Sequence, residues 1–141
     1  MKLVLKQNEN YNYELSNQRG GNCSISPCSG EGSDLQALSP MELVAGGLAA
    51  CILIDIQLIL TKQRIDSGDI QINIEAKRVD GVPRPFESIH LDFKVKNDLN
   101  KEKLSKNIQL VIDKYCSVRS SLNDDIQISY AINGDTYSVE K

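Results

Sequence analysis

The residues of this 141-residue chain best suited to chemistry are its four cysteines. Thiolates act as nucleophiles, redox centres and metal ligands. Cys51 lies in the middle of a long apolar run, where the ordinary interpretation is a small buried hydrophobe. Cys116 falls between a predicted helix end and a predicted helix start, where backbone N–H groups lower the pKa of a thiol. Lys114 and Arg119 would act in the same direction, so Cys116 is the better candidate on local context alone.

A metal site has weaker support. Cys23 and Cys28 could supply two thiolates to zinc, but no second close pair completes a four-cysteine site, and structural zinc stays only an alternative. The single histidine, His90, lies on the polar face of a predicted strand and is expected to have no catalytic role. The glycine pairs match neither a phosphate-binding loop nor a dinucleotide fingerprint. We therefore expect no cofactor and no metal.

Composition excludes other classes of protein. The chain carries 16 basic and 19 acidic residues and no tryptophan. A net charge of −3 and so few aromatic residues argue against nucleic-acid binding. The N-terminus does not resemble a signal peptide, and the twelve-residue apolar run Leu43–Ile54 is short for a membrane span. We expect one cytoplasmic domain over residues 1–141, with its cysteines reduced.

The clearest predicted element is a helix that contains Cys51. Ser39 can act as its N-cap, Pro40 is its first residue, and Glu42 completes a capping box. The helix is expected to run to about Arg64. Because residues 43–54 are apolar on every side, we expect protein to surround the helix. One small sheet cannot cover it completely, so the sequence favours an intertwined homodimer.

Alternating apolar and polar residues predict an α+β protein with antiparallel sheets wetted on one face. A hairpin turn is expected at residues 81–85, a second helix over Lys101–Lys114, and a short helix ending at Leu122. Strands are predicted at 3–5, 11–15, 23–25, 70–77, 89–96 and 126–132, with a possible extension at 137–139.

Two cysteine contexts resemble the OsmC/Ohr family of thiol-dependent hydroperoxide reductases. They are SPMELVAGGLAAC, which ends at Cys51, and KYCSV around Cys116. The similarity looks closest to the YhfA-like branch. That branch has an Ile-Asp pair after the first cysteine, here Ile54 and Asp55, and a hairpin reading Pro-Arg-x-Phe, here residues 83–86. The resemblance extends over about residues 38–132.

This resemblance implies an OsmC-like fold, with antiparallel sheets wrapped around central helices in an intertwined homodimer. It also implies reduction of organic hydroperoxides or hydrogen peroxide. Cys51 would be the peroxidatic thiolate and would become a sulfenic acid, which Cys116 would resolve as a disulfide. An external dithiol would then reduce that disulfide, without a cofactor. Apolar walls around the central helix would suit a small apolar peroxide.

Family members hold the reactive thiolate with an arginine and with a glutamate that directly follows proline. Here Met41 follows the proline, and Glu42 comes one residue later, so Glu42 is both a candidate catalytic residue and a capping-box residue. Glu42 and Cys51 are nine residues apart, or about 180° around a straight helix. They would meet only through a kink at Gly46-Gly47 or across a dimer.

The arginine partner stays open among Arg19, Arg84 and Arg119. Asp55 lies four residues after Cys51 on the same helix face, where its charge would oppose ionisation of the thiol unless an arginine joined it. The alternative function is a non-catalytic stress protein on the same fold. Its cysteines would be core residues, and its apolar dimer crevice would bind a small hydrophobic ligand.

Overall fold

The structure is a computed structural model that describes residues 1–30, 36–96 and 98–138. It divides into two compact units, Met1–Val44 and Ala45–Lys141, which are described separately. The predicted α+β class is confirmed, whereas a single domain over 1–141 stays a prediction. The elements are β1 (Leu3–Gln7), β2 (Tyr13–Asn17), β3 (Asn22–Ile25), α1 (Pro40–Lys62), β4 (Gln71–Arg78), β5 (Phe86–Lys94), α2 (Lys101–Leu110), α3 (Ser117–Ser120), β6 (Gln127–Ile132) and β7 (Asp135–Ser138).

The N-terminal unit contains an antiparallel sheet of order β1-β2-β3. The strand expected at 11–15 begins two residues later, because Glu9–Tyr11 form a 3-10 turn that ends with Tyr11 at φ 59°. A left-handed backbone of this kind cannot continue into a strand. The irregular stretch predicted before Leu38 includes residues 31–35, which lie outside the described residues.

Helix α1 begins with the predicted capping box. The backbone N–H of Ser39 donates to Oε2 of Glu42 at 2.7 Å, and the N–H of Glu42 donates to Oγ of Ser39 at 3.4 Å. The helix ends at Lys62 rather than at Arg64, because Arg64 adopts a left-handed φ of 57°. A left-handed residue just past the last turn is a common helix stop.

One side of α1 is buried and the other is exposed. Ile54 keeps 62% of its surface exposed and Leu58 keeps 56%, so a single chain covers only one side of the helix, as its apolar sequence predicts. The helix has 23 residues and, unlike the twelve-residue apolar run, is long and apolar enough to cross a membrane by length and composition. Core helices of water-soluble proteins meet the same criterion. The buried stripe consists of Ala45, Leu48, Ala49, Ile52, Ile56 and Leu60.

The second sheet has the order β4-β5-β6-β7. Its β5 and β6 strands are parallel, which corrects the expectation of purely antiparallel sheets. The chain passes through α2 and α3 between these two strands, and a parallel pair needs such a crossover. The predicted extension is confirmed as β7, where Tyr137 stacks on Tyr130 with ring centroids 5.6 Å apart. Residue 139 lies outside the described residues.

Helix α2 is shorter than predicted. It ends at Leu110, and the chain continues through a π-helical turn, Val111–Tyr115, instead of an α-helix up to Lys114. The N–H of Cys116 closes this turn by donating to the carbonyl of Val111 at 2.9 Å. A π turn inserts one residue into the helical repeat, so it rotates every following side chain. The turn therefore sets the direction of Cys116.

We predict that Asn100→Ala lowers the free energy of unfolding by about 1 kcal/mol. Oδ1 of Asn100 accepts the N–H of Lys103 at 2.9 Å, and alanine would leave that helix-start donor without its cap. Urea unfolding followed by circular dichroism measures the change. Asn100→Asp is the matched control and should unfold close to the wild type. Equal losses in both variants would contradict the capping explanation.

Candidate active site

Cys116 is held at the junction between the π turn and α3. Only 1% of its surface is exposed, and its Sγ accepts the N–H of Arg119 at 3.3 Å, as an N-cap side chain does. The sequence predicted a helix end and a helix start on either side of Cys116, and both are present. It gave no signal for the π turn.

Cys51 is half-buried on α1, close enough to Cys116 that it helps to raise the pKa of the Cys116 thiol. Two cysteines that are distant along the chain are thus neighbours within the C-terminal unit. Both are reduced in this structure.

The protonation of Cys116 differs from the sequence-based expectation. Burial raises the pKa of the Cys116 thiol to about 11, and the neighbouring Cys51 thiol adds to that rise. The backbone N–H groups of Arg119 and Val118 act in the opposite direction but do not prevail. The expected lowering at a helix start is therefore wrong, because loss of solvation outweighs two amide dipoles. Cys116 keeps its proton at neutral pH.

Glu42 is exposed, and its carboxylate is engaged at the start of α1. The backbone N–H of Ser39, followed by the Ser39 hydroxyl, holds the pKa of Glu42 below its usual value. These bonds show that Glu42 forms the capping box together with Ser39. Helix α1 is one continuous element from Pro40 to Lys62.

Two of the three candidate arginines already have partners. The guanidinium of Arg119 donates to the carbonyls of Leu122 and Asn123 at 3.5 and 3.4 Å, and it lies 3.7 Å from Asp124. Nε of Arg84 donates to the carbonyl of Val79 at 3.4 Å, within the β4–β5 turn. Arg19 is exposed in the turn between β2 and β3 of the N-terminal unit.

The remaining candidates belong to other elements of the fold. Cys23 is half-buried on β3, and Cys28 is exposed beyond that strand. Within residues 1–30, 36–96 and 98–138, no group of three or more His, Cys, Asp or Glu side chains could hold a metal ion. His90 is half-buried on β5, where its Nδ1 lies 2.8 Å from Oγ of Ser129. His90 is therefore a polar residue of the sheet that is hydrogen-bonded to the neighbouring strand.

Comparisons with known proteins identify related sequences. A family model described as "OsmC-like protein" matches residues 30–131. Protein YhfA of Escherichia coli is 34% identical over 97 residues, which cover 68% of this chain and 72% of that protein.

Solved structures show the same fold at lower identity. A protein from Psychrobacter arcticus, described as a putative osmotic stress induced and detoxification response protein, has a TM-score of 0.79 at 18% identity, covering 94% of this chain and 95% of its own. An organic hydroperoxide resistance protein from Legionella pneumophila has a TM-score of 0.69 at 17% identity, covering 94% and 96%. Similarity at this level establishes a shared fold.

We predict that the wild type loses stability between about pH 9 and pH 11 through Cys116. The thiol has an ordinary pKa of 9.0 and a folded value of about 11, so above pH 9 the unfolded chain ionises first. Stability from the neutral thiol is complete below pH 9 and is lost as the pH rises towards 11. Urea midpoints across this range should fall more steeply for the wild type than for Cys116→Ala. Parallel curves would contradict the raised pKa.

Proposed function

The chain belongs to the OsmC family, and on that basis we propose that it is a thiol-dependent peroxidase for organic hydroperoxides or hydrogen peroxide. Cys51 acts as the peroxidatic cysteine and Cys116 as the resolving cysteine. The observation that carries the proposal is that the fold makes Cys51 and Cys116 neighbours, close enough for Cys51 to raise the pKa of the Cys116 thiol. Neighbouring thiols are suited to forming a disulfide.

The reaction proceeds in three balanced steps. The Cys51 thiolate attacks one peroxide oxygen, the O–O bond breaks, and the other oxygen leaves as an alcohol or water after gaining a proton. Cys51 becomes a sulfenic acid. The Cys116 sulfur then attacks the Cys51 sulfur, the S–O bond breaks, and water leaves. An external dithiol reduces the resulting disulfide and is itself oxidised to a disulfide.

Burial supports this division of roles. Cys51 is half-buried, whereas Cys116 is 1% exposed, so a peroxide from solvent reaches Cys51 first. The raised pKa of Cys116 also keeps its thiol protonated at neutral pH. A neutral thiol is a poor nucleophile, since the thiolate is the reactive form. Cys116 therefore does not react with the peroxide itself, and it attacks Cys51 only after Cys51 has become a sulfenic acid.

Glu42 enters the proposal in a structural role. Its bonds to Ser39 start α1 and so help to fix the helix that carries Cys51. A direct catalytic role for Glu42 would require its carboxylate to leave the capping box. Glu42→Gln separates the two roles, because glutamine also completes a capping box but carries no charge.

A homodimer is the partner that the exposed side of α1 favours. Ile54 and Leu58 project from a strip of the helix that also includes Gly46 and Ala50. A Cβ added to Gly46 would meet nothing within 4 Å, so the glycine leaves room for a second helix to approach. Burial of such a surface is worth roughly 25 cal/mol per Å². Two copies packed through α1 would remove these apolar side chains from water.

The cytoplasm is the compartment that suits this chemistry. All four cysteines are free in the structure. Cytosolic thiol systems keep cysteines reduced, and they offer the dithiols that the third step consumes. We therefore expect the protein to act in the cytoplasm, with a small dithiol or a dithiol protein as reductant.

The alternative is a binding protein that places a hydrophobic ligand against the exposed side of α1. The apolar groove lined by Leu53, Ile54 and Leu58 favours it. This alternative gives no role to the contact between the thiols. It requires the pair to remain reduced after mild peroxide treatment.

We predict that Cys51→Ser abolishes peroxide consumption in the presence of a dithiol. Cys116→Ser should still form a sulfenic acid at Cys51 but no intramolecular disulfide. Mass spectrometry after one equivalent of an organic hydroperoxide should show residues 51 and 116 linked in the wild type. Cys28→Ser, at an exposed cysteine, is the matched control and should retain turnover. Unchanged turnover in Cys51→Ser would overturn the assignment.

We predict that Ile54→Glu shifts the protein from dimer to monomer. The substitution places a charge on an apolar surface that a second copy would have to bury. Light scattering with size-exclusion chromatography measures the mass. Gln127→Glu, at the exposed start of β6, is the control and should leave the mass unchanged. A wild-type monomer, or an Ile54→Glu dimer of undiminished stability, would contradict a dimer through α1.

A further inference from the structure

Asp55 is a half-buried carboxylate one helical turn beyond Cys51. It lies four residues after Cys51 on the continuous helix α1, which places it about 40° away around the helix axis. Side chains at this spacing have Cβ atoms about 5–6 Å apart. Asp55 is half-buried, and within the described part of the chain its carboxylate makes no hydrogen bond or ion pair that would fix it elsewhere.

The direction of Asp55 follows from the helix. The buried stripe of α1 runs through Ile52 and Ile56. At 100° per residue, Asp55 lies between that stripe and Cys51 on the same flank. Because Cys51 contacts Cys116 from this flank, Asp55 is on the side of the helix that faces the resolving cysteine. The one-turn spacing along the helix puts its carboxylate beside Cys51, the residue that becomes the sulfenic acid.

The resolving step creates a need for such a group. Cys116 is protonated at neutral pH and must lose its proton to attack the sulfenic acid. The hydroxyl that leaves Cys51 must gain a proton, because hydroxide is a poor leaving group. One base placed between the two sulfurs could meet both needs. A positioned acid–base group typically contributes about 10²–10⁴-fold to a rate.

Other ionisable residues near the pair are less suitable. Lys114 and Tyr115 precede Cys116 but are exposed. The guanidinium of Arg119 is bound to backbone carbonyls and cannot accept a proton. Asp55 is the carboxylate that lies one turn from Cys51 on the same flank of α1.

We propose that Asp55 is the proton carrier of the resolving step, taking the S–H proton of Cys116 and delivering it to the hydroxyl that leaves Cys51. As the proton moves to the Asp55 carboxylate, the Cys116 sulfur forms the S–S bond and the S–O bond of the sulfenic acid breaks. The proton then passes to the departing oxygen as water, and Asp55 returns to the carboxylate. No external oxidant or reductant enters. The inference rests on the proposed function of the two cysteines.

A single-turnover experiment tests this proposal. Reduced protein is mixed with one equivalent of an organic hydroperoxide, and quenched samples are analysed by mass spectrometry for trapped sulfenic acid and for the 51–116 disulfide. In Asp55→Asn, sulfenic acid should form within a few-fold of the wild-type rate. Its conversion to disulfide should slow by about 10²-fold, the usual contribution of a positioned acid–base group. Asp55→Glu should recover most of the rate.

Asp80→Asn is the matched control, because it removes the same charge from an exposed turn. It should resolve at the wild-type rate. Disulfide formation at the wild-type rate in Asp55→Asn would overturn the proposal, and so would slowing confined to sulfenic acid formation. If Asp55→Asn does not fold, the rate of disulfide formation by the wild type is compared in H₂O and D₂O. An equal rate in the two solvents would contradict proton transfer in the resolving step. A wild type that forms neither species instead refutes the proposed function itself.

Discussion

The contact between the buried Cys116 thiol and Cys51 is the interaction on which the candidate site depends. It requires a π turn after α2, an N-cap sulfur at α3, and a helix α1 that presents Cys51 on its flank. Each requirement is local, yet together they bring distant segments into contact. Burial then differentiates the two sulfurs, because the more enclosed one keeps its proton and the more accessible one meets solvent.

The apolar helix α1 links the chemistry to the assembly. One side fills the core of the C-terminal unit, one flank carries Cys51 and Asp55, and the remaining surface exposes Ile54 and Leu58. A helix that is apolar on every side lacks the simple amphipathic pattern of a surface helix. The composition that makes α1 long and apolar enough to cross a membrane also suits its proposed roles in a core, a reactive site and a subunit interface.

Membership of the OsmC family constrains the fold more tightly than the details of the site. The family's glutamate position is occupied by Met41, and the neighbouring Glu42 bonds to Ser39. The chain nevertheless retains two cysteines in contact and adds a carboxylate one turn beyond the first. Proton movement around the thiols can thus be arranged differently here from the arginine–glutamate pair of well-studied members.

The sequence by itself determined the α+β class, the capping box at Ser39 and Glu42, and most strands, because these features follow from local periodicity and cap chemistry. It also singled out Cys51 and Cys116 through their contexts. Only the tertiary structure decided the parallel pairing of β5 with β6, the π turn, and the raised pKa of Cys116. Strand pairing and burial depend on residues far away in the chain. The amide dipoles that sequence reasoning relied on are weaker than the loss of solvent around a sulfur atom.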